Sequence, residues 1–307
     1  MKKVLIATEK PFAAVAVEGI EKILKEAGYE VALLEKYSDP ADFQRAVAGV
    51  DALIVRSDKV TKGIVDAAEK LQIVVRAGAG YDNLDLAACT GKNIVAMNTP
   101  GQNSNAVAEL AVGMMIYMAR NGMTPGTGSE LKGKKLGIHA YGNVGKLVAA
   151  LGKGFGMEIH AFDPFVDAET LAKDGVIPVD DPKTLYRTCH YVSLHIPANE
   201  TTKKSVGYDL ISSMPKGGVL INTARKEVID EDGLLKALME RSDLKYAADV
   251  APDGLSKMEA SVGLRIFATS KKIGAETAEA NINAGLAAAR QIVAFFEKGD
   301  RQFQVNK

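Results

Sequence analysis

The 307-residue sequence has no tryptophan, two cysteines and four histidines, and its basic and acidic residues balance to a formal net charge of +0. Without a basic excess, the composition does not predict binding to nucleic acid or to an anionic membrane. Cys89 and Cys189 stand far apart and lack the spacing of metal ligands. We therefore expect free, buried thiols in a reducing compartment and no metal centre.

Long hydrophobic runs are also missing. No stretch approaches the roughly 18 consecutive apolar residues of a membrane-spanning helix. The N-terminal segment MKKVLIATEK has the short apolar run of a β-strand rather than that of a signal peptide. These features predict a cytoplasmic protein that does not associate with membranes.

Short apolar runs alternate with helical patterns along most of the chain. Such runs are typical of strands buried on both faces of a parallel sheet. They occur at 2–7, 29–35, 51–56, 72–78 and 93–98, and again at 134–140, 157–163, 176–179, 191–196, 217–223 and 244–250. The two series predict an α/β protein with two unequal, doubly wound parallel sheets.

A long helical pattern, SNAVAELAVGMMIYMAR (104–120), lies between the two series and is apolar on nearly all sides. Such a helix needs burial on more than one side, so we expect it to pack between domains or against another subunit, which favours a homodimer. Glycine, proline and serine at 121–133 predict a surface linker. The last helical pattern, 276–299, could return the chain to the first domain.

The strongest local motif is the turn Ala140-Tyr141-Gly142-Asn143-Val144-Gly145, which stands between a predicted strand and a predicted helix. It matches G-x-G-x-x-G with alanine at the first glycine. The second glycine lets a pyrophosphate approach the backbone, the third allows close helix packing, and the helix N-terminus offers N–H groups to phosphate. Asp163 ends the next strand, where it can accept hydrogen bonds from both ribose hydroxyls and repel a 2′-phosphate. The motif predicts NAD as cofactor; the alternative is a glycine turn that serves packing only.

Further segments carry a family resemblance: RAGAGYDNLDL (76–86), NTPGQNSNAVAEL (98–110), SLHIP (193–197), INTARKEVIDEDGL (221–234) and AADV (247–250). In this order they resemble motifs of the D-isomer-specific 2-hydroxyacid dehydrogenases. Within that family, the chain is most similar to short phosphoglycerate dehydrogenases without a C-terminal regulatory domain, in the subgroup with lysine in place of the catalytic histidine. The resemblance implies two Rossmann-like domains with a cleft between them. We expect a discontinuous substrate-binding domain, 1–98 plus 283–307, and an NAD-binding domain, 99–282.

The resemblance also implies an activity: NAD-dependent oxidation of 3-phosphoglycerate to 3-phosphohydroxypyruvate, the first step of the phosphorylated route to serine. Hydride would pass from C2 of the substrate to the nicotinamide. One alternative is a dehydrogenase or reductase for another D-2-hydroxy acid, such as glyoxylate or hydroxypyruvate. Another is a non-catalytic NAD-binding regulator.

The resemblance assigns roles to individual residues. Arg225 would orient the substrate, because a guanidinium presents a planar fork to a carboxylate. Asp249 would accept a hydrogen bond from the nicotinamide carboxamide. The remaining residues placed near the cofactor are His195, Thr223, Ala224 and Gly274.

The substrate-binding residues are expected in the first domain. Backbone N–H groups of Gly78, Ala79 and Gly80 would form an anion nest for the substrate carboxylate. Arg56 and Ser57 stand just beyond a strand and would serve a phosphorylated substrate. Lys59 is a weaker addition, for which a solvated surface charge is the alternative.

Two positions depart from the family pattern. The usual glutamate is absent, with Asp253 nearest and Glu259 further along, and the histidine position holds Lys272. Lys272 would be the acid/base group, provided that burial and a neighbouring Arg225 lower its pKa. The alternative is a solvated loop lysine beside Lys271.

Overall fold

The computed structural model describes residues 1–306, which divide into two compact units. Unit 1 comprises Met1–Asn103 and the residues from Glu276 onward, and unit 2 comprises Ser104–Ala275. Each unit contains one parallel sheet with helices on its faces. The predicted α/β architecture with two unequal sheets is therefore confirmed.

Unit 1 has a five-stranded sheet in the order β2-β1-β3-β4-β5. Its strands are β1 (Lys3–Thr8), β2 (Glu30–Glu35), β3 (Ala52–Val55), β4 (Ile73–Arg76) and β5 (Val95–Asn98). Its helices are α1 (Ala14–Glu26), α2 (Pro40–Val47), α3 (Lys62–Ala67), α4 (Leu86–Gly91) and α12 (Ala278–Lys298). The strand order reverses between β1 and β3, the place where ligands bind in open α/β sheets.

Unit 2 has a seven-stranded sheet in the order β12-β11-β10-β9-β6-β7-β8. Its strands are β6 (Lys135–His139), β7 (Glu158–Phe162), β8 (Ile177–Pro178), β9 (Tyr191–Leu194), β10 (Val219–Asn222), β11 (Lys245–Ala248) and β12 (Ile266–Ala268). Its helices are α5 (Ser104–Ala119), α6 (Asn143–Gly154), α7 (Ala168–Lys173), α8 (Pro182–Thr188), α9 (Tyr208–Ser212), α10 (Glu231–Glu240) and α11 (Leu255–Val262). The order reverses between β6 and β9.

Apolar side chains cover both faces of each sheet. In unit 1, Ile6 and Ile54 face a cluster with α1 and α12, whereas Leu5 and Leu53 face a second cluster with α2 and α3. The alternation follows from the period of two along a strand, and both neighbours of each pair are buried because helices lie on either side. The two sheets are therefore fixed by core packing, which leaves their strand ends to carry polar groups.

One face of helix α5 is buried within unit 2, whereas its predicted packing between domains or against another subunit stays a prediction. Ala108, Ala111 and Met115 are fully buried in the cluster formed with β6 and α6. At its C-terminal end, Lys245 donates from Nζ to the carbonyl oxygen of Met118 over 2.8 Å. Burial lowers the pKa of Lys245, and the contact places a cation where the helix dipole is negative.

Several short elements were not predicted. Helix α2 begins with Asp39 as its cap and Pro40 at its first position. Strand β12 is three residues long, with only Ile266 buried. Its partner β11 supplies the register, since Tyr246 pairs with Ile266. Elements this short owe their conformation to neighbours rather than to their own pattern.

Candidate active site

The glycine turn joins β6 to α6. Ala140 has φ 80°, a left-handed conformation that favours glycine. A Cβ atom on Gly145 would overlap the carbonyl oxygen of Ala140, so this glycine allows α6 to approach the turn. A Cβ on Gly142 would meet no heavy atom of the described chain within 4 Å. Gly142 and Asn143 are exposed, so the N-terminus of α6 opens onto solvent at the turn.

Asp163 follows β7 and lies against the same turn. Its Oδ2 accepts from the Tyr141 backbone N–H at 2.8 Å and its Oδ1 from the Phe165 N–H at 2.9 Å. The Tyr141 side chain points away into the core, where its hydroxyl donates to Asp174. Burial raises the pKa of Tyr141 to about 12. The structure thus gives Tyr141 a packing role with its side chain and uses its N–H to fix Asp163.

Two polar atoms at the ends of β9 and β10 are buried without a hydrogen-bond partner among the described residues. They are Nε2 of His195 and Oγ1 of Thr223. Burial lowers the pKa of His195 to about 3, so the imidazole is neutral. Buried polar groups are normally hydrogen-bonded, so unpaired ones beside an open turn are suited to a polar ligand. The residues present therefore fit a dinucleotide at the point where the strand order reverses.

Arg225 stands on a short loop after β10 that is fixed by Asn222. The Asn222 side chain accepts from the Ala224 N–H and donates to the Arg225 carbonyl, each at 3.0 Å. Its Nδ2 also donates to the Tyr246 hydroxyl at 3.2 Å. Arg225 itself is exposed, with Nη1 donating to the Ala224 carbonyl at 2.9 Å. Sequence reasoning missed Asn222, although its place directly before Thr-Ala-Arg was a usable signal.

The lysine segment follows β12 and is held by Asp249. This carboxylate is fully buried and accepts from the N–H groups of Ile273 and Gly274, both at 2.8 Å. Lys272 is exposed, whereas the sequence analysis expected its side chain to be buried. Of the acids considered as its helpers, Asp253 forms an ion pair with Lys226 at 2.5 Å, and Glu259 lies exposed on α11.

In unit 1, two arginines extend the ends of neighbouring strands. Arg56 donates to Asn281 Oδ1 at 2.5 Å and to the Pro11 carbonyl at 3.2 Å. Arg76 donates from Nε to the Arg56 carbonyl at 3.0 Å. Burial lowers the pKa of Arg76, and the nearby Arg56 lowers it further. Ser57 and Lys59 are exposed beyond them. Sequence reasoning missed Arg76, which pairs with Val55 in the sheet and so reaches the backbone carbonyl of Arg56, the next residue along.

The loop 78–80 is tied to the end of β5. The Gly78 N–H donates to Thr99 Oγ1 at 2.6 Å, so the predicted anion nest does not have this group available. Asn98 donates to the Ala79 carbonyl at 2.6 Å. Gly78 has φ 148°, and a Cβ there would overlap the Arg76 guanidinium. Gly78 therefore gives room to an arginine, and Ala79 and Gly80 are left as the nest candidates.

His139 and His160 are buried and lie within hydrogen-bonding distance of side chains of unit 2. Nδ1 of His139 lies 3.3 Å from the Tyr186 hydroxyl, and burial lowers its pKa to about 4. Nε2 of His160 lies 2.7 Å from Glu158. Both cysteines are buried and free, and burial raises the pKa of Cys189 to about 12. Within residues 1–306, no cluster of His, Cys, Asp and Glu could hold a metal ion. None of the helices that these residues form has the length and hydrophobicity of a membrane crossing.

Comparison with known proteins gives consistent similarities. Residues 107–262 match the family model of the "D-isomer specific 2-hydroxyacid dehydrogenase, NAD binding domain". The chain is 50% identical to an NAD+-bound 3-phosphoglycerate dehydrogenase structure from Entamoeba histolytica, with a TM-score of 0.85 and 100% and 99% of the two chains covered.

Curated relatives include two differently named proteins. D-3-phosphoglycerate dehydrogenase of Methanocaldococcus jannaschii is 36% identical, over 88% of this chain and 54% of its own length. Hydroxypyruvate reductase of Thermotoga maritima is 33% identical, over 86% of this chain and 90% of its own length. The chain thus spans about half the length of the phosphoglycerate dehydrogenase relatives it matches in this comparison.

Proposed function

Because the chain belongs to the D-isomer-specific 2-hydroxyacid dehydrogenase family, we propose that it oxidises 3-phosphoglycerate to 3-phosphohydroxypyruvate with NAD. The observation that carries the substrate assignment is the pair of guanidinium groups, Arg56 and Arg76, at the ends of adjacent strands. Paired arginines are suited to a phosphate group, which a simple hydroxy acid lacks. The similarity to the Entamoeba enzyme supports the same substrate.

Unit 2 would hold the cofactor. The N–H groups of Asn143, Val144 and Gly145 at the start of α6 suit the pyrophosphate, with Gly142 leaving room for it. Asp163 would accept from the ribose hydroxyls and disfavour a 2′-phosphate. His195, Thr223, Ala224 and Gly274 would line the nicotinamide side. When bound, NAD supplies the acceptor for the C2 hydride.

The chain's own residues would perform the rest of the reaction. Arg225 would bind the substrate carboxylate through its fork and orient C2. Ala79 and Gly80 would assist through their backbone, and Arg56, Ser57 and Arg76 would bind the phosphate. Lys272 would take the proton from the 2-hydroxyl during oxidation and return it during reduction. Proton donation by the ammonium form of a lysine suits the reducing direction.

The phosphate assignment is tested by comparing 3-phosphohydroxypyruvate with hydroxypyruvate in NADH oxidation, with wild type and Arg56→Ala. We expect the variant to raise KM for the phosphorylated keto acid by about 10- to 100-fold, the loss of a charged hydrogen bond. KM for hydroxypyruvate should change little. Arg45→Ala is a matched control, because Arg45 is an exposed arginine of the same unit that pairs with Asp42. Equal effects on both keto acids would remove the phosphate site from this position.

The second candidate is a hydroxypyruvate reductase, favoured by the Thermotoga relative, of which the chain covers 90%. A wild-type kcat/KM that is higher for hydroxypyruvate than for its phosphate ester would select it. Absence of turnover with both keto acids would select the non-catalytic regulator. A homodimer and a cytoplasmic location remain predictions from the sequence.

A further inference from the structure

Asp249 occupies a central place between the two loops that carry the proposed catalytic groups. It follows β11, which lies between β10 and β12 in the sheet of unit 2. The loop after β10 carries Arg225, and the loop after β12 carries Lys272. Asp249 has 0% of its surface exposed, so its carboxylate requires donors from its surroundings.

The donors to this carboxylate are residues of the loop 269–274, called the lysine loop below. Oδ1 accepts from the Ile273 N–H at 2.8 Å and from Thr269 Oγ1 at 3.1 Å. Oδ2 accepts from the Gly274 N–H at 2.8 Å. Backbone N–H groups bound to a carboxylate form charge-assisted hydrogen bonds, which are stronger than neutral ones. The carboxylate thus closes the 269–274 loop at both of its ends.

The backbone of Asp249 reaches the arginine loop. Its N–H donates to the Asn222 carbonyl at 2.9 Å, and the Asn222 side chain fixes Ala224 and Arg225. One residue is therefore hydrogen-bonded on one side to the arginine loop and on the other to the lysine loop.

Gly274 has no side chain, and this leaves the space that the Asp249 carboxylate occupies. A Cβ atom there would stand 2.7 Å from Asp249 Oδ2 and 3.4 Å from Val107 Cγ2. The glycine lets its own N–H approach the carboxylate closely. Its role in the folded chain follows from this packing, without any ligand.

We propose that Asp249 is a positioning residue whose carboxylate holds the 269–274 loop, and with it Lys272, at a fixed place relative to Arg225. The proposal rests on the proposed function for the roles of Lys272 and Arg225, but the clamp itself rests only on the contacts described. The clamp is a role separate from recognition of the nicotinamide carboxamide: Oδ1 accepts two bonds and Oδ2 one from the loop, and a carboxylate oxygen can accept two.

Asp249→Asn is the main test. The Ile273 and Gly274 N–H groups bind different carboxylate oxygens, and in asparagine one of these oxygens is replaced by an NH2 group, which cannot accept. We expect faster amide hydrogen exchange across 269–275 and a kcat reduced by about 10- to 100-fold through misplacement of the lysine. KM for the keto acid should stay near wild type, and Kd for NADH, measured by fluorescence, reports separately on recognition of the carboxamide.

Asp243→Asn is the matched control. Asp243 lies near the other end of β11 and also joins loops, accepting from the Gly217 N–H at 2.8 Å and from Arg241. Its loss should affect stability but not exchange at 269–275 or kcat. If Asp249→Asn does not fold, Thr269→Val removes one donor only and should give a smaller loss of kcat, which Thr269→Ser restores.

The outcomes separate the clamp from the proposed function. Amides of 269–275 that stay protected in Asp249→Asn would overturn the clamp. A raised Kd for NADH with unchanged kcat would overturn the positioning role in favour of cofactor recognition. Lys272→Ala is measured in parallel: wild-type kcat in that variant would refute the proposed role of Lys272, while the exchange data would still decide the clamp.

Discussion

The two units use similar sheets to present different chemistry at their strand ends. In unit 1, Arg56 follows β3 and Arg76 is the last residue of β4, and both are held by backbone carbonyls, Arg56 also by Asn281. In unit 2, the turn beyond β6 presents backbone N–H groups, and the ends of β9 and β10 present the neutral groups of His195 and Thr223. Under the proposed function, the same architecture would bind anions through side-chain charge in one unit and through the backbone in the other.

The placement of glycine explains this difference. The segment after β1 reads Glu9-Lys10-Pro11 and has no glycine. Side chains there keep a phosphate group from approaching the backbone closely. The segment after β6 has Gly142 and Gly145. In unit 1 a glycine also follows β4, but Gly78 makes space for the Arg76 guanidinium, whereas Gly145 makes space for a helix.

The largest expected effect comes from exchanging these glycines for alanine. Gly145→Ala would push a methyl group into the Ala140 carbonyl, which is backbone and cannot turn aside. We expect NADH binding to weaken by about 100-fold, or about 3 kcal/mol, by fluorescence titration. Gly78→Ala displaces the Arg76 side chain instead, so it should raise KM for the phosphorylated keto acid and leave NADH binding intact.

Gly154→Ala is the control for the first exchange. Gly154 lies on α6 like Gly145, but a Cβ there would meet no heavy atom of the described residues within 4 Å. It should bind NADH normally and unfold at a slightly higher temperature. If Gly78→Ala weakened NADH binding as much as Gly145→Ala did, the two glycines would not serve different ligands in the two units.

A smaller effect concerns acid stability, which should differ between the units because all four histidines lie between residues 139 and 195. Burial lowers the pKa of His139 to about 4. Above pH 6.5, His139 is neutral in both folded and unfolded protein. Between pH 6.5 and 4, His139 binds a proton in the unfolded chain but not in the folded protein. The free energy of unfolding therefore falls by up to about 1.4 kcal/mol for each unit by which the pH is lowered.

Thermal unfolding between pH 7 and 5 would measure this dependence. His139→Gln should flatten the curve, and hydrogen exchange should locate the loss in unit 2 first. His195, whose pKa burial lowers to about 3, should add to the remaining slope. If Tm of His139→Gln changed with pH as steeply as Tm of the wild type, His139 would not contribute to the loss of stability at low pH.

The smallest effect is expected at Ala140. Its φ of 80° is unfavourable for alanine, so Ala140→Gly should stabilise unit 2 by about 0.5 to 1 kcal/mol, less the greater entropy of glycine in the unfolded chain. Calorimetry should show a rise in Tm of roughly 2 °C, with NADH affinity unchanged. A lower Tm would show that the left-handed turn carries no strain.

Sequence reasoning worked where a pattern determines local structure by itself. The short apolar runs predicted eleven of the twelve strands, since this signal depends on period alone. The turn at Gly142 and Gly145 was recognisable because strand, turn and helix must occur in that order. Arg76 was missed because its contact with the Arg56 carbonyl depends on the pairing of β3 with β4.

The sequence by itself determined the two doubly wound sheets, the glycine turn with Asp163, and the lysine at position 272. Each follows from periodicity or from residue type, which need no knowledge of distant contacts. Tertiary structure alone decided that the Gly78 N–H binds Thr99, that Lys272 is exposed, and that Asp249 anchors its loop. These features result from hydrogen bonds and burial between segments that are far apart in the chain. A local sequence pattern does not show which donor will bind which acceptor.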